Sequence, residues 1–502
     1  MLAILQFDSP ALPLLERMMA AGRLPVLAAL RSRGHWLSMD AKATFLQSST
    51  YMTLCTGVDV RDHGVYSAVP WSAAGQRPRF MYAFAHPPTV WERLTARGRR
   101  SLVIDPTLAW APHAMNGVFL GGWQFEDRMS ARAVSLPRAL RRDLSRQLGR
   151  PAALDDVYGV RDAASLLAWR DHLVKAPARV ASAAVDLLRR DSFELAWLNV
   201  GAPHKAGHHL WDPAAVTEGS LGADDERSLR DGLPDVYEAV DAALRRILAV
   251  LPPAADVIVF TPTGMGANTS RADLLPGMLD AVLSGHARPP AGSKRRSPIW
   301  ALRSAVPIAW RDRIARVLPD DVVADIATRL YMRLDWKRTR AMAVPGENKG
   351  YIRFNLRGRE RHGIVDAEQV SELADIIAHG LLTFTDPDGS PSISRVERMS
   401  QMTDWGSQVA ALPDLVVHWG DRPGVRVARV QSSVHGEVVR NGVGSGRSGN
   451  HVDDAWAIIA PGASRLRDIG RVPRITDIGA TACALSGADE QGLSGTSLLE
   501  RS

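Results

Sequence analysis

Short, fully apolar runs alternate with longer segments of helical periodicity along most of the chain. Runs with strand-like composition lie at residues 2–7 and around residues 104, 198 and 259. The last three runs each follow a helix-like segment: VWERLTARGRR, VASAAVDLLRRD and VYEAVDAALRRILAVL respectively. Short apolar strands that alternate with helices are typical of a parallel sheet with both faces covered. The pattern therefore predicts an α/β protein with a mostly parallel central sheet and helices on both faces.

Polar residues follow several of these predicted strands directly. Asp8 ends the first run, His204 follows the run around residue 198, and Thr261 to Thr263 follow the run around residue 259. The loops at the carboxyl ends of parallel strands hold the ligand in open α/β sheets. We therefore expect a functional site at this edge of the sheet.

The segment 275–345 differs from the alternating strands and helices, since its pattern is helical and basic and it contains several tryptophans. We predict a helical cap insertion that borders the pocket and adds positive charge to it; the alternative is a decoration on the flank of the domain. From Gly350 onwards the chain returns to strand-like pieces (YIRFNL, DLVVHW and AWAIIAPG). Because neither an internal repeat nor a low-complexity linker interrupts this order, we predict a single domain over residues 1–502.

Composition places the chain among ordinary globular proteins, with 46% hydrophobic and 23% charged residues. No run of about 18 uncharged apolar residues indicates a transmembrane segment. The start, MLAILQFDSP, lacks the basic region of a signal peptide. Cys55 and Cys483 are the two cysteines, too few for a disulfide framework. These features predict a soluble, cytoplasmic protein.

The net charge of +7 leaves the nature of the partner open. A basic chain can bind an anionic substrate or a membrane surface, or can simply be rich in arginine. No basic run interleaved with aromatic residues occurs, so specific nucleic-acid binding is not expected. A small anionic substrate is the partner we predict; the pattern does not predict an oligomeric state.

Seven stretches of the chain follow one another in a recognisable order from about residue 2 to residue 499. After the opening strand with Asp8 come TLCTGVDVRDHGVYS, IDPTLAWAPHAMNGVFLGGW, LDWKRTRAM with GYIRFNLRGRERHGIV, LPDLVVHWGDR, GRSGNHVDDAWAIIAPGA and ITDIGATACALSG. Together they resemble the type I phosphodiesterase/nucleotide pyrophosphatase branch of the alkaline phosphatase superfamily. The resemblance implies an alkaline phosphatase-like core and two metal ions, commonly zinc, around a Thr or Ser nucleophile.

Three histidines match the first metal site that the resemblance implies. In APHKAGHHLW, His204 stands where the family has Asp, and His208 keeps its place; His451 in SGNH matches the late His of the family. Three histidine ligands with an open position suit zinc first, with iron, cobalt or manganese as alternatives. Polar loop residues that only form hydrogen bonds are the alternative for His204 and His208. We predict one divalent metal at these three residues.

The second metal site of the family is degenerate in this chain. Asp8 is in place, but Pro262 and Thr263 stand where the family has an Asp-His pair. Proline has no side-chain donor atom, and a hydroxyl is a poor ligand for zinc. A second metal is therefore doubtful. Asp8 then orients a histidine, contacts the substrate or caps a helix.

The nucleophile of the family also has no direct counterpart. Its position falls on Gln47, which cannot attack, whereas the neighbouring Ser48 and Ser49 carry hydroxyls. A small shift in register would present Ser48 or Ser49 at the metal. The alternative is that both serines cap the helix that begins here. Asp8, Ser48 and Ser49 are the candidate catalytic residues.

The altered site leaves three functions in view. The first is a metal-dependent hydrolase of phosphate or related esters that acts through a metal-bound water. The second is a non-hydrolytic enzyme that uses a mononuclear metal held by three histidines. The third is a non-catalytic relative that binds a ligand or a partner. The fold alone does not discriminate among these three functions, so the geometry of the site has to be compared with each of them.

Overall fold

The computed structural model of the protein describes residues 1–41, 46, 49–108, 110–127, 133–154, 159, 161–285, 322, 334–346, 348–401, 408–440 and 445–501. Its strands are, in chain order, β1 (Leu2–Phe7), β2 (His35–Ser38), β3 (Trp71–Ser72), β4 (Arg77–Pro78), β5 (Ser101–Ile104), β6 (Gly117–Gly121), β7 (Phe125–Glu126), β8 (Val134–Leu136), β9 (Ala152–Ala153), β10 (Leu195–Val200), β11 (Asp256–Thr261), β12 (Gly264–Ala267), β13 (Ala341–Val344), β14 (Gly350–Phe354), β15 (Ile393–Arg398), β16 (Leu415–Trp419), β17 (Arg429–Ser432), β18 (Gly436–Val439), β19 (Gly449–Val452), β20 (Trp456–Ala460), β21 (Ser464–Leu466) and β22 (Leu499–Arg501). Its α-helices are α1 (Leu12–Ala20), α2 (Pro25–Arg33), α3 (Ser49–Thr56), α4 (Val60–His63), α5 (Val90–Ala96), α6 (Leu140–Leu148), α7 (Ala163–Arg190), α8 (Ala202–Leu210), α9 (Pro213–Val216), α10 (Ala223–Leu248), α11 (Leu275–Ser284), α12 (Val370–Leu382) and α13 (Ile475–Ser486).

An eight-stranded sheet forms the centre of the fold, in the order β2-β20-β11-β1-β10-β5-β6-β8. The five strands from β11 to β6 run parallel, whereas β20, β2 and β8 are joined by antiparallel pairing. Strand β1 lies in the middle and pairs with β10 on one side and β11 on the other. The carboxyl ends of β1, β5, β10 and β11 therefore meet at one edge of the sheet, where the polar residues were expected.

Side chains of β1 alternate between two apolar cores, as the period of a strand requires. Leu5 and Phe7 pack in the core that contains α7 and α10, and Leu2 and Ile4 pack in the core that contains α3, α5 and α13. Every residue of this strand is buried. These two cores confirm the predicted fold class, an α/β protein with a mostly parallel sheet covered by helices on both faces.

A second, antiparallel sheet has the order β13-β14-β16-β15. Helices α11 and α12 pack against it in a third apolar core that includes Leu275, Ile352 and Leu415. The strand-like pieces YIRFNL and DLVVHW lie in this sheet, whereas AWAIIAPG forms β20 of the central sheet. An apolar run predicts a strand but not which sheet the strand joins, because that depends on pairing between distant segments.

Most of the predicted cap, residues 286–321 and 323–333, lies outside the described residues. Its two ends are described: α11 and β13 pack in the core of the four-stranded sheet. The cap and the single-domain organisation remain predictions. Among the described helices, none is long and apolar enough to cross a membrane.

Candidate metal centre

Helix α8 places His204 and His208 one turn apart on the same face. The helix begins directly after β10, through Gly201, so its first turn lies at the carboxyl edge of the central sheet. Residues four apart are neighbours on a helix surface. The Nε2 atoms of His204 and His208 lie 3.1 Å apart. The adjacent His209 points elsewhere and packs edge-on against Trp169, with ring centroids 4.7 Å apart.

His451 reaches this pair from strand β19, far away in the sequence. Strand β19 pairs with β12, and His451 lies opposite Met265 in that ladder. Its ring centroid is 4.7 Å from that of His204 and 4.9 Å from that of His208. The structure thus brings together the three histidines that the sequence predicted.

Two glycines allow β19 and β12 to approach α8 closely. A Cβ atom on Gly449 would collide with the carbonyl oxygen of Gly207 and would lie 2.9 Å from Cβ of Trp211. A Cβ atom on Gly207 would lie 2.6 Å from Cγ of Met265. A side chain at Gly449 would therefore push β19, which carries His451, away from the helix, and a side chain at Gly207 would displace Met265 of β12.

Hydrogen bonds fix which nitrogen of each ring carries the proton. Nδ1 of His208 lies 2.9 Å from the carbonyl oxygen of Gly449, which can only accept a hydrogen bond. Nδ1 of His204 lies 3.2 Å from Oδ2 of Asp8. Both Nδ1 atoms therefore donate, which leaves Nε2 of each ring as the atom that can bind a metal. The two Nε2 atoms lie 3.1 Å apart, so a single cation can contact both.

His451 adds a third nitrogen of the same kind. The residue is 3% exposed, and neither ring nitrogen has a hydrogen-bond partner. Burial, together with the nearby His204 and Arg447, holds the pKa of His451 well below its usual range, so the ring is neutral. A buried polar atom without a partner is rare and requires an explanation. A bound metal ion would supply the missing partner.

The donor set fits a metal ion of the zinc type. One ligand atom from each histidine lies within 4.8 Å of the others. Nitrogen ligands about 2.0–2.1 Å from one tetrahedral ion lie about 3.3–3.4 Å apart, close to the 3.1 Å between His204 and His208. The His204 side chain is 18% exposed, so the cluster has one side open towards solvent. Within the part of the chain that the structure describes, this is the one such group of three His, Cys, Asp or Glu residues.

Asp8 lies beside the cluster, at the carboxyl end of β1, and is fully buried. Its Oδ1 accepts from Ser9 Oγ and from the Tyr51 hydroxyl, each at 3.1 Å. Its Oδ2 accepts from Thr107 Oγ1 at 2.9 Å and faces His204 Nδ1. Burial by itself raises the pKa of Asp8, but His204 and the hydrogen bonds from His204, Thr107 and Ser9 hold it below its usual range. Asp8 is therefore an ionised acceptor that orients His204.

Two contacts of Asp8 were missed by sequence reasoning. Thr107 follows β5, and Asn199 of β10 donates to its Oγ1 at 2.6 Å. Tyr51 lies on α3, where the sequence pattern indicated the serine hydroxyls and not the phenol. The position of Thr107 just after a strand end could have identified it as a site residue. No local sequence feature identifies Tyr51, because its contact with Asp8 depends on how α3 packs.

The segment that would complete a second metal site is occupied by structural hydrogen bonds. Thr263 Oγ1 donates to the Val452 carbonyl at 2.8 Å. Thr261 Oγ1 donates to the Thr263 carbonyl at 2.7 Å and accepts from the backbone N–H of Ser9 at 3.0 Å. Ser9 has a left-handed φ of 53°, so Thr261 supports the tight turn that follows Asp8. Thr263, which follows Pro262, therefore has a structural role.

Of the two candidate nucleophiles, the structure describes Ser49 but not Ser48. Ser48, like Gln47, lies outside the described residues. Ser49 is buried at the start of α3, and its hydroxyl donates to the Leu46 carbonyl. Together with Thr53, one turn further on, Ser49 lines a separate cavity, whereas Tyr51 reaches Asp8 from the other side of the helix. The hydroxyl of Ser49 therefore lies on a different face of α3 from the residue that contacts the metal centre.

Comparison with solved structures finds similarity over nearly the whole chain at low sequence identity. Phosphonoacetate hydrolase from Sinorhizobium meliloti, in complex with phosphonoacetate, is 14% identical over 97% of this chain and 95% of its own, with a TM-score of 0.49. Murine ectonucleotide pyrophosphatase/phosphodiesterase 5, an inactive variant in complex with AMP, is 11% identical over 99% of both chains, with a TM-score of 0.46. The human form of the latter protein is 10% identical over 99% of this chain and 97% of its own, with a TM-score of 0.46. No curated protein sequence matches the chain.

The family comparison is more direct. The sequence model of type I phosphodiesterase / nucleotide pyrophosphatase matches residues 2–432. This range contains Asp8, His204 and His208 but ends before His451. The match confirms the resemblance found in the sequence. The chain belongs to the type I phosphodiesterase/nucleotide pyrophosphatase family.

Proposed function

We propose that the protein is a metal-dependent hydrolase of phosphate or related esters, with one divalent metal held by His204, His208 and His451. The observation that carries the proposal is the convergence of the three histidine rings, one of which is the buried His451 with no hydrogen-bond partner on either ring nitrogen. Family membership supplies the reaction class. Zinc is the metal that best suits three imidazole ligands, with iron or manganese as alternatives.

When bound, the metal supplies Lewis acidity and lowers the pKa of a coordinated water molecule. The residues of the chain hold the geometry: Asp8 and Gly449 each accept an Nδ1–H and so direct the Nε2 atoms of His204 and His208 towards each other. The hydrogen bond that His204 donates to the Asp8 carboxylate also raises the basicity of this ligand.

The charge of the site favours an anionic substrate. Histidine binds a metal as a neutral imidazole, so three such ligands would not compensate the charge of a divalent ion. Asp8 accepts a hydrogen bond from His204, one of the three proposed ligands. An incoming phosphate or phosphonate oxygen would approach over His204, whose side chain is the partly exposed one.

Water is the nucleophile in this proposal. The Ser49 hydroxyl donates to the Leu46 carbonyl and lies on a face of α3 that does not carry Tyr51. Ser48 remains a prediction of the sequence. An attacking water needs no protein hydroxyl in line with the substrate, which agrees with Gln47 at the position of the family nucleophile.

The test combines metal content with turnover. The purified protein should hold about one equivalent of metal by mass spectrometry, and should hydrolyse a chromogenic phosphate mono- or diester only while it is loaded. His208→Ala should lose both properties, whereas His209→Gln, one residue away, should keep both. One equivalent of metal without hydrolysis of any phosphate or phosphonate ester would instead favour a non-hydrolytic three-histidine enzyme. A protein without metal affinity would favour a non-catalytic relative.

A further inference from the structure

The Tyr51 hydroxyl lies between the two groups that set the orientation of His204. It is 3.1 Å from Oδ1 of Asp8 and 3.1 Å from Nδ1 of His204. The rings of Tyr51 and His204 are nearly parallel, with an interplanar angle of 5° and centroids 6.0 Å apart. Tyr51 is 3% exposed, so this contact is shielded from water.

The direction of each hydrogen bond follows from the groups involved. The ionised carboxylate of Asp8 can only accept, so the Tyr51 hydroxyl donates to it. The phenol oxygen then has lone pairs left for the Nδ1–H of His204, which it shares with Oδ2 of Asp8. Asp8, Tyr51 and His204 thus form a closed ring of hydrogen bonds.

The two donors of this ring, together with Ser9 and Thr107, use the acceptor capacity of Asp8 completely. A carboxylate offers about four lone-pair positions. Ser9 and Tyr51 occupy Oδ1, and Thr107 and His204 occupy Oδ2. A carboxylate with four donors has none of these positions left for a metal of its own.

We propose that Tyr51 is a positioning residue that acts through Asp8 to hold His204 in its metal-binding tautomer and orientation. The inference rests on the proposed metal site. Tyr51 fixes the proton on Nδ1 and the plane of the ring, so that Nε2 of His204 faces Nε2 of His208 before any metal arrives. It also keeps Asp8 engaged as a hydrogen-bond acceptor, which assigns to Asp8 the orienting role instead of direct ligation.

Removal of the single phenol oxygen tests this role. Tyr51→Phe should weaken metal affinity, measured by competition with a chromophoric chelator, by about 10-fold, the lower end of what loss of such a partner costs. The visible spectrum of the cobalt-substituted protein should change, because it reports the geometry around the ion. The melting temperature of the metal-free protein should change little, because Asp8 keeps three donors.

Tyr237→Phe is the matched control, since it removes the same oxygen from another buried tyrosine. The Tyr237 hydroxyl accepts from the backbone N–H of Ala11 at 2.6 Å, outside the metal centre. This variant should lower the melting temperature and leave the metal affinity and the cobalt spectrum unchanged. Equal losses of metal affinity in both variants would overturn the inference, because the effect would then be structural.

A double-mutant cycle with Asp8→Asn tests whether Tyr51 acts through Asp8. Residues in one hydrogen-bond network show non-additive effects. We expect Tyr51→Phe to weaken metal binding clearly in the wild-type background and hardly at all in the Asp8→Asn background. If Asp8→Asn does not fold, Thr107→Val, which removes another donor to Asp8, takes its place in the cycle.

Each outcome separates this inference from the proposed function. Strong metal binding in the wild type with no change in Tyr51→Phe overturns the role of Tyr51 and leaves the metal site standing. Additive effects in the cycle overturn the route through Asp8. If the wild type binds no metal at all, the proposed function fails and the inference fails with it.

Discussion

Nε2 of His204 and Nε2 of His208 lie 3.1 Å apart, and Nδ1 of each ring lies against an acceptor. The protein holds the two Nε2 atoms there through hydrogen bonds to Asp8 and to the Gly449 carbonyl. A cation bound between the two atoms would contact both nitrogens.

The first prediction concerns the third ligand. His451→Ala should weaken metal affinity by more than the about 10–100-fold typical of losing an outer hydrogen-bond partner, because it removes a nitrogen that would contact the ion directly. Chelator competition measures the change. Since neither nitrogen of His451 has a protein partner, the metal-free variant should fold. Unchanged metal affinity would exclude His451 as a ligand.

The second prediction concerns the close contact between β19 and α8. Gly449→Ala would place a methyl group against Gly207 and Trp211, and overpacking of this kind costs about 1–3 kcal/mol. We expect a lower melting temperature together with weaker metal binding, since His451 would move. Gly75→Ala is a suitable control, because its nearest contact outside the adjacent residues would be Ser72 Oγ at 3.3 Å. A Gly449→Ala protein with full metal affinity would contradict the argument.

The third prediction separates Thr263 from the metal. Thr263→Val removes the hydrogen bond to the Val452 carbonyl but keeps the shape of the side chain. It should lower the free energy of unfolding by about 1–2 kcal/mol, with the bound metal still near one equivalent per chain. Chemical denaturation and mass spectrometry measure the two quantities. A drop in metal content at constant stability would mean that Thr263 is a ligand after all.

The fourth prediction is a pH dependence of stability at His63. Its Nδ1 accepts from the Val65 N–H at 3.1 Å, and its Nε2 lies 3.0 Å from Thr53 Oγ1. Burial lowers the pKa of His63 to about 3, although Asp59 acts in the opposite direction. The unfolded chain, with a pKa near 6.5, therefore takes up the proton first. Stability from this group is complete above about pH 6.5 and is lost as the pH falls towards 3, by up to about 1.4 kcal/mol per pH unit.

Urea unfolding of the wild type and of His63→Gln between pH 4.5 and 7.5 tests this dependence. The variant should show a shallower loss of stability on the acid side, by about one proton, because glutamine does not titrate in this range. The other buried histidines contribute equally to both proteins and cancel in the difference. Identical slopes would show that His63 is protonated to the same extent in the folded and unfolded states.

Sequence patterns predicted the features that depend on residues close together in the chain. The apolar run at residues 2–7 defined β1, and the helix-like segments before the runs around residues 198 and 259 correspond to α7 and α10. The strand-end position of Asp8 followed from the parallel sheet. These features depend on residues close in sequence and on the general geometry of α/β folds.

Long-range packing determined what the sequence did not predict. His451 could be assigned to the site only by resemblance, because nothing in its local pattern shows that β19 docks on α8. Tyr51 was missed because its contact with Asp8 depends on the packing of α3 against the sheet. The sheet membership of β14 depends on its pairing with β13 and β16, which an apolar run does not reveal.

The close contact of Gly207 with Gly449 has a consequence for how the protein is assembled. Two of the proposed ligands belong to α8, and the third belongs to β19, which the ribosome produces well after α8. A nascent chain that has only α8 can offer an ion two nitrogens and would bind it weakly. When β19 docks, a bound ion links β19 to α8, since β19 cannot leave without removing a ligand. The metal would then stabilise the docking of two distant segments as well as support the reaction.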